Sequence, residues 1–113
     1  MDDKLLIITK IKKSVQYVDK FLENYNRNEQ TLRDKTKEEL YDLLKDTYLA
    51  NILERQERIN KQKEVLVHIK MLNFYLDSAY KKQLISSKQY TNIGKHMLDV
   101  FIMTKAWIKS NQT

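Results

Sequence analysis

Two histidines, no cysteine and a second half crowded with lysine are what this chain offers to chemistry. Glu64 and His68 stand four residues apart, so on a helix they share a face. Carboxylate-bridged metal sites in helical bundles need Glu-x-x-His motifs on two helices, with further inward glutamates. Only this one acid–histidine pair occurs, and His96 has no acid at a matching place, so the spacing reads as a pair on a helix surface. Neither histidine has a nucleophile at a recognisable spacing, as covalent catalysis requires. One glycine in 113 residues leaves no glycine-rich loop to cradle a phosphate. Without cysteine, disulfides, thiol chemistry and cysteine-based zinc sites are excluded.

Ribonucleases built on helical bundles of the HEPN class carry an arginine followed, four to six residues later, by a histidine. Arg55 and Arg58 have no histidine at that distance. The sequence therefore predicts a protein that is not an enzyme, with no metal, no cofactor and no small-molecule substrate.

The cations are better placed for function. Net charge is +6, and its distribution is uneven. Residues 1–60 hold 12 basic and 12 acidic side chains, whereas residues 61–113 hold 9 lysines against Glu64, Asp77 and Asp99. The whole excess sits in the second half. Such asymmetry fits a polyanionic partner, and it equally fits a solvated lysine surface. Lys81, Lys82 and Lys88 flank one predicted helix junction. Lys88, Lys95 and Lys109 follow at intervals of 7 and 14 residues, which makes a slowly drifting helical stripe. Lys10, Lys12 and Lys13 form a second cluster, with Arg27 and Arg33 as weaker candidates. Phosphate contacts by such groups supply affinity with little sequence information, so these ten residues are the candidate nucleic-acid-binding set.

The elements that must position these cations are helices. Proline is absent, and turns favour Gly, Pro, Asn and Asp, so long helices with short links are expected. Leu5, Ile8, Lys12, Val15, Val18 and Leu22 mark a first helix over about 4–25, with Ile11, Tyr17, Phe21 and Tyr25 widening its stripe. NYNRNEQT is a loop, after which Thr31 is placed to cap a second helix reaching the middle fifties. Leu40, Leu43, Leu44, Thr47, Ala50 and Leu53 form its core stripe. The next boundary is faint, and Asn60 is the best candidate for a left-handed C-terminal residue before a third helix over about 61–84. Ser86 and Gln89 form a capping box for a fourth helix over about 87–110, with Trp107 as a packing anchor and Gly94 in its interior. Gly94 is either a neutral feature or a device that lets another helix pack closely.

One domain follows: an all-α, antiparallel up-down-up-down four-helix bundle. Leu49, Ile52, Leu98, Ile102 and Met103 exceed what one core needs. They point to self-association, the alternative being a wide core stripe. No run approaches the roughly 20 apolar residues of a membrane span, and the N-terminus lacks a signal-peptide pattern, so no membrane and a cytoplasmic location are expected.

Residues 84–110, LISSKQYTNIGKHMLDVFIMTKAWIKS, resemble the last helix of a bacterial family of small four-helix bundles. That family includes Avd, the accessory variability determinant of diversity-generating retroelements, and the proteins encoded in 23S rRNA intervening sequences. The resemblance rests on Ile85-Ser86, Lys88-Gln89-Tyr90 and Trp107-Ile108-Lys109-Ser110, with Thr31-Leu32 and Ala50-Asn51 adding to it. Asp99 is followed by Val100-Phe101 where members often have Ile-Gly, and Lys105-Ala106 precede Trp107 where members often have glycine. The resemblance implies a homo-oligomer, commonly a pentamer, with a basic surface and no catalytic residues. In a retroelement, a similar protein binds the reverse transcriptase and template RNA and supports mutagenic cDNA synthesis. In an rRNA intervening sequence, it would be a structural or protein-interaction scaffold.

Overall fold

A computed structural model describes residues 3–111. Helix α1 spans Asp3–Leu22, α2 Gln30–Ile52, α3 Arg55–Lys81 and α4 Ser87–Asn111, with a short 3₁₀ turn, Arg27–Glu29, ahead of α2. Each helix packs against two neighbours in the cyclic order α1–α2–α3–α4, and among the described residues the backbones of diagonal pairs stay apart. Short links force consecutive helices to run antiparallel, so the fold is the expected up-down-up-down bundle. It measures 46 × 23 × 19 Å, and its long dimension is set by α3, whose 27 residues rise about 40 Å. No helix among the described residues is long and apolar enough to cross a membrane.

The core is the expected set of stripes with shifts on α1 and α2, where Leu44 and the C-cap residue Leu53 are only half-buried. Val15, Val18, Leu22, Leu40, Leu43, Val65, Ile69, Leu72, Ile93, Met97 and Trp107 are buried. On α1, Lys12 leaves the stripe and is exposed, while Ile7 and Ile11 take the core. Leu5 lies outside the residues whose side chains are described. Four buried hydroxyls, on Ser14, Thr36, Thr47 and Thr104, each donate to the carbonyl four residues back in their own helix. That bond satisfies a polar atom where no partner helix offers one.

Three helix ends explain the boundaries. Ser86 and Gln89 form the expected capping box: the Ser86 amide donates to Gln89 Oε1 at 2.8 Å and the Gln89 amide to Ser86 Oγ at 3.0 Å. Thr31, in contrast, lies inside α2, whose N-terminus is entered through the 3₁₀ turn without a side-chain cap. The α2–α3 junction falls at Leu53–Glu54, so α3 begins about six residues before the sequence signal. Asn60 is helical, and the left-handed residue is Arg55, with φ 54°. The stop signal there is Arg58, whose Nε donates to Leu53 O at 2.7 Å and Ala50 O at 3.0 Å. A guanidinium on the last carbonyls of α2 satisfies free acceptors and complements the negative helix end.

Candidate nucleic-acid interface

One end of the bundle gathers the α1–α2 and α3–α4 connections. Lys81 is the last residue of α3, Lys82 caps it, and Lys88 is the second residue of α4. Gln83 follows in the left-handed region, with φ 62°. The Leu84 amide reaches back to Ala79 O and the Gln83 amide to Tyr80 O, closing the helix in a Schellman turn. Lys82 Nζ is bonded to both carboxylate oxygens of Glu29, at 2.9 and 3.1 Å. That ion pair ties the 3₁₀ turn carrying Arg27 to the end of α3. Arg33, in the first turns of α2, is held by Asp34 at 3.1 Å. Lys81, Lys82, Lys88, Arg27 and Arg33 thus share one end of the molecule. Tyr80 and Tyr90 close the α3–α4 side beneath it, their rings parallel and 4.4 Å apart.

The other candidates do not join them. Lys10 bonds Asp99 on α4 at 3.3 Å, while Lys12 sits over the Tyr48 ring on α2 at 5.5 Å. The α1 trio therefore divides between opposite neighbours and is not one cluster, because residues two apart on a helix point about 200° apart. Lys13 is exposed between them. Lys95 is exposed midway along α4, and Lys109 stands near its far end, about 31 Å along the axis from Lys88.

The acids of the second half are all engaged. Glu64 accepts from Lys61 at 2.7 Å, Asp77 accepts from the Tyr90 hydroxyl, and Asp99 pairs with Lys10. Among the described residues, no acid forms an ion pair with Lys63, Lys70, Lys81, Lys88, Lys95, Lys105 or Lys109. Of these, Lys70 and Lys105 lie over the Phe101 ring, and the others are exposed to solvent.

Sequence spacing missed one constellation. His68 is not paired with Glu64. Its Nδ1 bonds Glu39 and its Nε2 bonds Asp46 at 2.7 Å, both on α2. All three side chains are largely shielded from solvent. Burial pushes the imidazole pKa down, but the hydrogen bonds to Glu39 and then Asp46 outweigh it, and the net direction is up. The carboxylates take opposite nitrogens of the ring, so the three groups do not converge on a common point. The arrangement is an α2–α3 clasp. No local sequence signal marks it, because Glu39 and His68 lie 29 residues apart.

No protein-family model and no curated protein matches the chain by sequence. Its fold matches a solved protein of unknown function from the S23 ribosomal protein family of Bacteroides thetaiotaomicron VPI-5482, with a TM-score of 0.81. The two are 16% identical, and the match covers 96% of this chain and 99% of that one. The likeness is one of fold.

Proposed function

We propose that this protein is a non-catalytic, oligomeric RNA-binding bundle, acting as the accessory subunit of a diversity-generating retroelement and engaging its reverse transcriptase and template RNA. The observation that carries the reading is the cationic end of the bundle. Lys81, Lys88 and Arg27 stand there without an ion pair to a described acid, beside the Lys82–Glu29 and Arg33–Asp34 pairs. Phosphates are bound by such clusters through counterion release. A pentamer would repeat the cluster around a ring.

Binding of a structured RNA, followed by gel mobility at several salt concentrations, tests it. Wild type binds and weakens steeply with salt. A Lys81/Lys82/Lys88→Ala variant binds less, and its log–log salt slope is smaller by about 2 to 3, one contact per lysine removed. Unchanged RNA mobility with wild type at low salt sinks the reading. A reverse transcriptase gene beside this one would support the retroelement assignment.

A second reading is favoured by the fold match. The neighbour comes from the S23 ribosomal protein family, and this chain exposes apolar side chains on α2, α3 and α4. On that reading the protein is a scaffold of the rRNA intervening-sequence kind, whose partner is another protein.

A further inference from the structure

A groove of about 520 Å³ runs between α3 and α4, on the side of the bundle away from α1 and α2. Its wall on α4 extends from Tyr90 to Phe101, about 16 Å or three helical turns. Gly94 lines it, and a Cβ built there would meet nothing within 4 Å. The chain's only glycine therefore serves no packing inside the chain, and its φ is not positive, so the backbone does not need it either. An interior helix glycine is nonetheless unfavourable relative to alanine. What it leaves is a notch in the wall of an open groove. Leu98 lines the same wall and is 57% exposed. Phe74, one turn from the groove residue Lys70, is 61% exposed.

Charge decides what fits. Lys70 on α3 and Lys105 on α4 stand over the Phe101 ring at 5.2 and 5.5 Å. Neither forms an ion pair with a described acid, and Asp77, the acid of the groove, is occupied by Tyr90. The floor is apolar; the rim is cationic at its Phe101 end, while the Asp77 carboxylate, bonded by the neutral Tyr90 hydroxyl, keeps its charge at the other end. A phosphate backbone satisfies the rim but leaves Leu98 and Phe74 wet. An amphipathic helix with acidic flanks satisfies both, laying anchors at i, i+4 and i+7 along a groove three turns long. We propose that the α3–α4 groove is a docking site for an acidic amphipathic helix of a partner protein, with Gly94 admitting its close approach. The proposal does not rest on RNA binding at the end of the bundle.

The probe is a stapled 16-residue helical peptide with leucines on one stripe and glutamates beside it. Its control carries lysine in place of every glutamate. Binding to the full chain is read by fluorescence anisotropy and amide chemical shifts. The glutamate peptide binds at least about tenfold more tightly than the control and loses affinity with salt. It shifts the amides of residues 94–101. Gly94→Leu fills the notch, keeps the helical signal and weakens the peptide at least about tenfold. The Lys81/Lys82/Lys88→Ala variant binds it as wild type does. Equal affinity for the two peptides, no binding, or indifference to Gly94→Leu overturns the proposal. So does RNA displacing the peptide from the same amides. A wild-type multimer that Gly94→Leu dissociates assigns the groove to a second copy and overturns it equally.

Discussion

His68 is held between two carboxylates that both need a donor. When the imidazole is protonated, each ring nitrogen donates one hydrogen bond, to Glu39 and to Asp46. When it is neutral, one nitrogen becomes a lone pair facing a carboxylate, and two shielded acids lose their shared cation. Lys61 is the other charge at the clasp, 3.8 Å from Asp46, but its shorter bond goes to Glu64. The folded pKa is raised above the ordinary value of 6.5, so the clasp contributes its full stability below that value. The contribution is lost as pH rises through the higher folded value. Melting temperature measured across that window should fall for wild type and stay nearly flat for His68→Gln. Glu39→Gln removes one of the groups that raise the pKa and should move the fall to lower pH. A wild-type melting temperature independent of pH there would show that the clasp carries no net energy.

The elements end through side-chain and backbone devices that stand in for glycine and proline. Arg58 stops α2 by occupying its last carbonyls. Gln83 closes α3 while held at a φ of 62°, where a Cβ is unfavourable by about 1–2 kcal/mol. Gln83→Gly should relieve most of that, less the added freedom of glycine in the unfolded chain. A net gain of about 0.5–1 kcal/mol, seen as a melting temperature higher by about 2–5 °C, is expected. A lower melting temperature would mean that the glutamine side chain makes contacts of its own worth more than the strain. The same turn fixes where Lys81, Lys82 and Lys88 stand relative to each other, so the helix end and the candidate interface are one structural problem.

At the scale of the molecule, three surfaces are in play: the cationic end, the α3–α4 groove and the outer face of α2. The last carries Tyr41, Tyr48 and Ile52, at 44%, 41% and 74% exposure. Of the residues expected as spare apolar surface, Ile52 on α2 and Leu98 and Ile102 on α4 are exposed, while Leu49 on α2 and Met103 on α4 are half-buried. A face of this kind on a small bundle is suited to self-association. Wild type in light scattering should exceed the 13.6 kDa of one chain. Tyr48→Ser/Ile52→Glu should return it to that mass with the helical signal intact. A wild-type monomer at micromolar concentration would remove the oligomer from the proposed function.

The four stripes, the absence of proline and the Ser86–Gln89 box were legible in the sequence because helical periodicity and capping are local. So was the gathering of Lys81, Lys82 and Lys88, because a short link between two helices brings their ends together. The α2–α3 junction was not, because its stop signal is Arg58, a residue inside the next helix folded back onto the last. The His68 clasp was not either, since the residues that perturb it come from another helix at distances in sequence that no periodicity encodes. Lys10, Lys12 and Lys13 read as one cluster along the chain. Packing divided them, because a helix turns adjacent residues toward different neighbours. Sequence alone determined the helices and the sign of the charge. Tertiary structure decided which charges are spent inside the molecule and which stand without an ion pair, because only packing brings each lysine to its acid or leaves it without one.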